Sequence, residues 1–349
     1  MQPLEIVRCY EGRLVEEEWL TTLLGGRPLS WRDDPAFVRV TSGALYVFAG
    51  ALGTAAPPAA WLEAVERAGD CGMAHLGDEF LRGNYRLYAS FGWVLRNYHA
   101  PWLDTPGVLT FPLGFPPGLN RADTVKPASK RAHLWAFIGL RNAARAALAR
   151  EMGETPRGFL AIPDAHRGEP LLPRERYVEV MRDASFAPAP MGNVVIETWR
   201  FWEALEYGAI PIAPHPNGFD YYRALLGPHP IPGFRTWREA REFIARMGED
   251  FDALDALQKE VLEWWATEKL RWAAKIGAHM EAGQAGAFRA PLRRAYGAFS
   301  TTANQPRRLA EFLRHHDATA LAGRIGIVAK RLAGAPKVRG VAHPLDAKR

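Results

Sequence analysis

Short apolar segments alternate with segments of helical periodicity along most of this chain, and that alternation restricts the fold more than any other feature. Residues 44–49 (ALYVFA) precede a helical stretch at 61–68, and residues 133–138 (HLWAFI) precede an alanine-rich helical stretch at 140–153. Residues 209–213 (AIPIA) follow a further helical stretch. Strands that alternate with helices form parallel β-α-β units, because each helix carries the chain back to the start of the next strand. The sequence therefore predicts an α/β protein with parallel sheets.

A proline-rich and basic stretch separates two sets of such units. Residues 115–133 read FPPGLNRADTVKPASKRAH, which is typical of a linker, and a new buried-strand pattern begins at its end. With 349 residues, of which 48% are hydrophobic, the chain is large enough for two domain cores. We therefore predict an N-terminal domain at 1–125, a second domain at 126–280 and a basic helical tail at 281–349.

The basic character of the chain is concentrated in that tail. Residues 281–349 contain 13 Lys and Arg against 4 Asp and Glu, a balance of +9, whereas the first 280 residues carry a balance of −3. Such a tail favours peripheral contact with an anionic surface, for which the inner face of a membrane is the natural candidate; the alternative is a solvated helical surface. The tail has few aromatic residues and no known nucleic-acid motif, so we expect no nucleic-acid partner.

Cysteine content and the N-terminal sequence predict a cytoplasmic protein. The chain has 2 cysteines, Cys9 and Cys71, which are too few for a disulfide framework and fit a reducing compartment. The N-terminal sequence MQPLEIVRCYEGRLVEEEW has no basic segment followed by an apolar one, so we predict no signal peptide. A composition rich in Ala, Arg and Gly is typical of a bacterial protein.

Three charges interrupt an otherwise apolar segment at 194–205. Its Val, Ile, Trp, Phe and Leu residues would cover nearly every side of a helix, so we expect a buried helix here. Glu197, Arg200 and Glu203 are spaced three residues apart and would share one arc of that helix. Buried charges are costly unless they are paired or used by a ligand. The arc is therefore either a self-satisfied ladder of ion pairs or one wall of a binding cleft.

The second interpretation predicts a phosphate site. Gly192 and Asn193 stand before the helix, whose N-terminal N–H groups and dipole would favour a phosphate. Arg200 would hold a diphosphate with its forked donors, and Glu203 would accept hydrogen bonds from ribose hydroxyls. Ligands of parallel sheets bind at the carboxyl ends of the strands, where we expect this loop to lie.

The same segment resembles the donor-binding motif of exostosin-type glycosyltransferases, in which a Pro-x-Gly turn precedes an Arg-x-x-Glu-Ala helix and a Gly-x-Ile-Pro strand. The residues that carry the resemblance are Pro190, Gly192, Arg200, Glu203, Ala204, Leu205, Gly208, Ile210 and Pro211. Residues 75–101, 109–115 and 135–145 are similar, in the same order, to blocks of the branch that includes ribitol xylosyltransferase. The resemblance covers roughly residues 70–275 of the chain.

This resemblance implies a GT-B fold, with two Rossmann-like domains facing a central cleft. It implies a nucleotide-sugar donor, expected to be UDP-linked, without an obligate metal or other cofactor. Arg200 would bind the diphosphate and Glu203 the ribose. Arg141 and Arg145, which follow Gly139, would add phosphate contacts; the alternative is an exposed helix face. A hexose or pentose would pass to a glycan or glycolipid acceptor, as in polysaccharide biosynthesis.

The alternative function is a non-catalytic GT-B-like module that binds a glycan or a partner protein. Loss of the donor residues would mark such a module, whereas Arg200 and Glu203 are both present. The resemblance therefore favours an enzyme.

Transfer with inversion of configuration needs a base that deprotonates the acceptor hydroxyl. The candidates are Asp78 and Glu79 in the sequence HLGDEF, within the N-terminal half. The alternative for Asp78 is a helix cap, with Glu79 in the first turn of that helix. Arg96 and Asn97 would line the cleft, or they would serve the structure of the domain.

An Asp-x-Asp motif at the end of a strand would indicate a divalent metal that holds the diphosphate. The chain contains Asp250-Phe251-Asp252, but the surrounding sequence GEDFDALDALQKE is helical. We therefore predict that Asp250 and Asp252 are acids at a helix start and not metal ligands.

Overall fold

The computed structural model describes residues 3–12, 14–50, 56–119, 124–164, 170, 172–192, 194–300 and 303–316. The chain divides into two compact units. Unit 1 comprises Met1–Pro117 and Ala266–Glu311, and unit 2 comprises Gly118–Trp265 and Phe312–Arg349. Each unit therefore draws on two separate parts of the chain.

Unit 1 contains a parallel sheet of six strands. They are β1 (Leu4–Arg8), β2 (Leu29–Asp33), β3 (Leu45–Ala49), β4 (Gly72–Leu76), β5 (Trp93–Arg96) and β6 (Val108–Thr110). Their order in the sheet is β2-β1-β3-β4-β5-β6, and each neighbouring pair is parallel. Every residue of β3, β4 and β5 is buried, as expected of central strands in a parallel sheet.

Unit 2 contains a parallel sheet of five strands. They are β7 (His133–Ile138), β8 (Gly158–Ala161), β9 (Ala184–Pro188), β10 (Ile210–Pro214) and β11 (Gly233–Phe234). Their order is β11-β10-β9-β7-β8, again with parallel neighbours. The predicted α/β class with parallel sheets is confirmed in both units.

Helices connect most of these strands. They are α1 (Glu17–Leu23), α2 (Ala59–Ala68), α3 (Ala143–Met152), α4 (Arg174–Arg182), α5 (Trp199–Glu206), α6 (Tyr221–Leu226), α7 (Trp237–Glu249), α8 (Phe251–Gln284), α9 (Arg289–Tyr296) and α10 (Gln305–His315). In unit 2, apolar residues of α4 and α5 pack with the apolar side chains of β7 and β9 in one buried cluster. The division between the two units falls inside the 34-residue helix α8.

In each sheet there is one point at which the direction of the strand connections reverses. In unit 1 the chain moves from β1 to one side and then returns to β3 on the other, so the reversal lies between β1 and β3. In unit 2 it lies between β7 and β9 for the same reason. The loops that leave the carboxyl ends of such strand pairs diverge and open a crevice that can take a ligand.

The predicted helix at 194–205 is wrong in its first part. Helix α5 begins at Trp199, after Thr198, whose φ of −140° and ψ of 153° are extended. The run Val194-Val195-Ile196 is buried as expected but is not helical. β-branched side chains lose rotamer freedom against a preceding helical turn, so an apolar β-branched run adapts readily to a buried non-helical segment.

The contact division differs from the domain ranges predicted from the sequence. Its boundaries fall at 117/118, 265/266 and 311/312, whereas the sequence predicted 125/126 and 280/281. The ranges 1–125, 126–280 and 281–349 stay a prediction. Within 281–349, helices α9 and α10 are present, and residues 317–349 lie outside the described residues. Among the described residues, the helices are too short or too polar to cross a bilayer.

Candidate functional site

The end of β7 brings together three residues that the sequence predicted for donor binding. Gly139 follows β7 directly, and a Cβ atom placed on it would lie 3.4 Å from Arg145 Nη1 and 3.5 Å from Arg200 Nη2. The guanidinium carbons of Arg145 and Arg200 lie 6.0 Å and 5.6 Å from the centre of the Phe137 ring. Arg145 comes from α3 and Arg200 from α5, so two helices contribute to one concentration of positive charge. We call Gly139, Arg145 and Arg200 the arginine cluster.

The start of α3 fixes Arg145 in this cluster. Asn142 caps the helix, since its Oδ1 accepts a hydrogen bond of 2.9 Å from the Arg145 N–H. The Arg145 side chain turns back along the loop and donates through Nη1 to the Leu140 carbonyl at 2.7 Å. Arg141 is exposed, and its backbone N–H donates to the Pro163 carbonyl at 3.1 Å. Of the two arginines predicted after β7, the structure therefore brings Arg145 to the cluster.

Arg200 is held on one side by Glu203 and Tyr177. Its Nη1 lies 2.9 Å from Glu203 Oε2 and also contacts the Tyr177 hydroxyl, which itself donates to Glu203 Oε2 at 2.5 Å. Arg200 Nε is buried and has no hydrogen-bond partner among the described residues. Burial lowers the pKa of Arg200, and the charge of Glu203 opposes that shift. Arginine stays protonated in proteins, so a cation with an unsatisfied donor lies beside Gly139.

Glu197 does not share this arrangement. It precedes α5 and is 2% exposed, and its Oε2 accepts a hydrogen bond of 2.7 Å from the Tyr221 hydroxyl. The expected arc of three charges on one helix is therefore wrong for Glu197, because the helix starts two residues later. Of the ladder of ion pairs that the sequence offered as an alternative, the structure contains the pair between Arg200 and Glu203.

The loop before α5 also differs from the predicted phosphate cradle. The Gly192 N–H donates to the Val195 carbonyl at 3.2 Å, so this donor is already used within the loop. The Ile196 N–H donates to His315 Nδ1 at 3.2 Å. Asn193 lies outside the described residues. The predicted role of a helix N-terminus at Gly192 is therefore wrong, since the helix starts at Trp199.

A cavity of about 450 Å³ lies along α3 and at the carboxyl ends of β9, β10 and β11. Ala144 and Ala147, on either side of Arg145 in the sequence, line it together with Met191 and Thr236. Thr236 caps α7, since its Oγ1 accepts a hydrogen bond of 3.2 Å from the Glu239 N–H. Sequence reasoning missed this cavity, although the Thr-x-x-Glu pattern at 236–239 is a signal for a helix start after a strand.

In unit 1, the predicted base Asp78 is buried among hydrogen-bond donors. It is 1% exposed, and its carboxylate accepts hydrogen bonds from the N–H groups of Arg82 at 2.8 Å and Gly83 at 3.2 Å. The Tyr85 hydroxyl also donates to it, and Arg96 Nη2 lies 3.9 Å away. Asp78 therefore organises its own loop rather than capping an α-helix. Glu79 is partly exposed and remains the accessible member of the predicted pair.

Arg96 and Asn97 stand at the carboxyl end of β5 and are both fully buried. The three guanidinium nitrogens of Arg96 have no hydrogen-bond partner among the described residues. The Asn97 Oδ1 accepts a hydrogen bond of 3.1 Å from the Gly77 N–H. Nearby, His75 Nδ1 lies 2.7 Å from the Tyr88 hydroxyl, and burial lowers the pKa of His75 to about 4. These contacts describe a buried polar network that holds the ends of β4 and β5 together.

Asp250 and Asp252 are located at a helix start, as the sequence predicted. Asp250 Oδ1 accepts a hydrogen bond of 3.0 Å from the Ala253 N–H, and Asp252 is exposed in the first turn of α8. Asp250 is therefore an N-cap. Within the part of the chain that the structure describes, no group of three or more His, Cys, Asp and Glu is arranged to hold a metal ion.

Comparison with known proteins gives distant structural likenesses only. No family model matches the sequence, and no curated protein matches it either. An α1,3-fucosyltransferase structure is similar at 13% sequence identity with a TM-score of 0.49, over 81% of this chain and 90% of that chain.

Two further glycosyltransferase structures are similar to the chain at comparably low sequence identity. T4 phage BGT in complex with UDP-glucose has 12% identity and a TM-score of 0.44, over 80% of this chain and 99% of that chain. AviGT4, a glycosyltransferase involved in avilamycin A biosynthesis, has 14% identity and a TM-score of 0.45, over 81% of this chain and 99% of that chain. Likenesses at this level do not assign an activity, so the function depends on the residues of the site.

Proposed function

We propose that this protein is a GT-B glycosyltransferase that moves a sugar from a UDP-linked donor to a glycan or glycolipid acceptor. The observation that carries the proposal is the convergence of Arg145 and Arg200 on Gly139 at the carboxyl end of β7. β7 borders the reversal of strand order in unit 2, where parallel sheets bind ligands. Forked guanidinium donors match phosphate oxygens, and the missing Cβ of Gly139 leaves room for them.

The arginine cluster suits the chemistry of glycosyl transfer. The bond between the sugar and the nucleoside diphosphate breaks, and negative charge develops on the leaving phosphate oxygen. Fixed cations in a partly buried place stabilise that charge more strongly than the same cations in water. Arg200 Nε, which lacks a partner among the described residues, is one donor that such a phosphate would satisfy. Glu203 orients Arg200, and its binding of the ribose stays a prediction.

The cavity along α3 is the place we propose for the nucleoside. Its volume of about 450 Å³ lies in the usual range for small-molecule sites. Ala144 and Ala147 line it from the same helix that supplies Arg145 to the arginine cluster. Among the described residues that line the cavity, none belongs to the arginine cluster, so helix α3, which contributes to both places, is what would connect the diphosphate with the nucleoside.

We also propose that transfer inverts configuration and needs no divalent metal. The cations of the arginine cluster supply charge stabilisation that a metal supplies in other transferases. Asp250, the first residue of the Asp-x-Asp motif, is occupied as an N-cap. For the base, Glu79 stays a candidate, whereas the carboxylate of Asp78 is surrounded by donors from its own loop.

Calorimetry with UDP tests the proposed donor site. Arg200→Ala and Arg145→Ala should each weaken UDP binding by about 10- to 100-fold, because each removes a charged hydrogen-bond donor from the diphosphate. Arg223→Ala, an exposed arginine of α6, is the matched control and should bind UDP like the unchanged protein. Unchanged affinity in both cluster variants would place the donor elsewhere. Tight UDP binding without release of UDP from any UDP-sugar would favour the non-catalytic module.

A further inference from the structure

A second cavity lies in unit 1, beside the edge strand β6. Its volume is about 410 Å³, within the usual range for small-molecule sites, and the described residues that line it all belong to unit 1. One wall comes from the connection between β5 and β6, and the other comes from the segment that runs from α9 to the start of α10. We call it the edge cavity, and the side chains that give it its chemistry are Trp102, Asp104, Arg294, Phe299 and Arg307.

The edge cavity is not part of the crevice that the strand order predicts. That crevice lies between β1 and β3, at the carboxyl ends of the strands. The edge cavity is lined by Thr105, which comes just before β6 and so stands at the amino end of that strand. In the sheet, β4 and β5 separate β6 from β3. A ligand in the edge cavity would therefore occupy a site of its own.

Two partly exposed aromatic rings line the edge cavity and are fixed by their packing. The rings of Trp102 and Phe299 are stacked, with centroids 6.1 Å apart and planes at 20°. Both rings also meet the fully buried Tyr85 in T-shaped contacts, at 5.7 Å and 5.4 Å. The Tyr296 hydroxyl donates to the Leu103 carbonyl and so ties α9 to the residue after Trp102. Preformed aromatic faces of this kind can pack against the C–H face of a sugar ring.

An acid and two arginines complete the edge cavity. The Asp104 side chain is 47% exposed, and its Oδ2 lies 3.9 Å from His99 Nδ1, which is beyond hydrogen-bond distance. Arg294 and Arg307 are exposed, and neither forms an ion pair with a residue that the structure describes. These three charged groups are therefore available to a ligand.

This combination favours a sugar that carries a carboxylate. Guanidinium groups bind carboxylates through paired hydrogen bonds. Asp104 can accept hydrogen bonds from sugar hydroxyls, whereas its charge would repel the larger negative charge of a phosphate. A site for a small inorganic anion would also have no use for the stacked rings of Trp102 and Phe299.

We infer that the edge cavity binds a uronic acid unit of an acidic glycan. The sugar ring packs on Trp102, its carboxylate meets Arg294 or Arg307, and its hydroxyls donate to Asp104. Binding involves no bond-making step and no residue of the arginine cluster. The inference therefore goes beyond the proposed glycosyl transfer and does not depend on it.

Calorimetry with short acidic sugars tests the inference on the full chain. The probes are the linear trisaccharides of galacturonic acid and of glucuronic acid, and the matched neutral ligands are their methyl esters. At least one acidic trisaccharide should bind about tenfold or more tightly than its ester, because the ester lacks the charge that the arginines meet. Citrate and inorganic phosphate, which are anions without a sugar ring, should bind more weakly than that trisaccharide.

Single substitutions locate the binding. Trp102→Ala should weaken it by about tenfold, whereas Trp102→Phe, which keeps an aromatic ring, should stay within about threefold of the unchanged protein. Arg294→Gln and Arg307→Gln should each weaken it by about 2- to 5-fold, an effect that salt reduces. Arg67→Gln, at an exposed arginine of α2 in the same unit, is the matched control and should bind like the unchanged protein.

Several outcomes would overturn the inference. They are absence of binding by both acidic trisaccharides, equal affinity for an acid and its ester, and citrate or phosphate that binds as tightly as the sugars. Affinity in both arginine variants equal to that of Arg67→Gln would overturn it as well. Thermal unfolding checks that each variant is folded, and the arginine variants carry the test if Trp102→Ala does not fold. Failure of the unchanged protein to bind UDP, with an acidic trisaccharide bound, would overturn the proposed function alone.

Discussion

Three buried carboxylates of unit 1 differ in their electrostatic surroundings. They belong to Glu16, Glu17 and Asp78. Asp78 accepts hydrogen bonds from two N–H groups and a tyrosine hydroxyl, and Glu17 is paired with Arg8. Glu16 is as deeply buried, but its neighbours are the Gly77 backbone, the Asn97 amide and the like charge of Glu17. Burial of an unmatched carboxylate disfavours its charged form, so ionisation of Glu16 is a cost to the folded state.

The pH dependence of stability should reveal that cost. The pKa of Glu16 is raised from its ordinary value of 4.5 to about 7 in the folded protein. Below the lower value both states are protonated; between the two values the unfolded state loses its proton first, so the free energy of unfolding falls as pH rises. Glu16→Gln lacks this fall, and its stability advantage should grow by on the order of 3 kcal/mol between about pH 4 and about pH 8.

Urea unfolding of Glu16→Gln, Glu18→Gln and the unchanged protein measures this difference. The Glu18→Gln curve should run parallel to that of the unchanged protein, because Glu18 is exposed. Parallel curves for Glu16→Gln as well would contradict the raised pKa.

Sequence patterns predicted the residues of the arginine cluster better than the acidic groups. Gly139 follows β7, and Arg145 and Arg200 lie on the helices that follow β7 and β9 in the chain. The loops after neighbouring parallel strands meet at one edge of the sheet, so the topology brings these residues together. Glu197 was placed wrongly because its role depended on the exact residue at which α5 begins. The burial of Glu16 was not predicted, since its neighbours Gly77 and Asn97 follow two other strands, β4 and β5.

At the scale of elements, strands were easier to predict than helix starts. The segment 133–138 coincides with β7, because a continuous apolar run bounded by Gly139 is typical of a buried parallel strand. The segment before α5 is equally apolar, so periodicity alone could not separate a buried helix from a buried non-helical stretch. Two features place the helix start at Trp199. Thr198 is extended, and the Ile196 N–H donates to His315, a residue distant in sequence.

The start of α8 allows a test that separates a cap from a metal ligand. Asp250→Ala removes the acceptor of the Ala253 N–H and should lower the free energy of unfolding by about 1 kcal/mol. Asp252→Ala, in the exposed first turn, should cost only a few tenths of that amount. Thermal unfolding of both variants measures the effect. UDP release by the unchanged protein should also continue in EDTA.

A different result would restore the metal interpretation. Activity that disappears in EDTA and returns with manganese, together with inactivity of both variants, would show that Asp250 and Asp252 hold a metal. The cap would then be a secondary role of Asp250.

At the scale of the whole molecule, the basic tail is not uniform. Arg289 Nη2 donates to the Glu66 carbonyl at 2.6 Å, and Arg293 Nη2 lies 3.1 Å from Glu66 Oε2, so these two cations serve unit 1. Leu292 and Tyr296 of the same helix are buried. Residues 317–349 carry 7 Lys and Arg against 2 Asp and Glu. If the chain docks on an anionic membrane, which remains our proposal, this last part is where we expect the contact.

Co-sedimentation with vesicles that contain phosphatidylserine tests the docking. The full chain should pellet with the vesicles and be released as salt rises, because each Lys or Arg near such a surface contributes about 1 kcal/mol that salt screens. A chain that ends at His316 keeps α9 and α10 and should stay in solution. Equal pelleting of the two chains would refute docking through the tail, and so would pelleting that salt does not reduce.

The division of the chain inside α8 has a consequence for biosynthesis. The strands of unit 1 lie within the first 110 residues, but α9, which buries Leu292 and whose Tyr296 hydroxyl donates to the Leu103 carbonyl, is translated only near the end. The strands of unit 2 all lie between these two parts. Because domains fold as units while the ribosome extends the chain, the sheet made first must wait for its last helix. Unit 2 waits in the same way for His315, whose Nδ1 accepts the hydrogen bond from the Ile196 N–H, so we expect neither unit to be completed until its last helix has been translated.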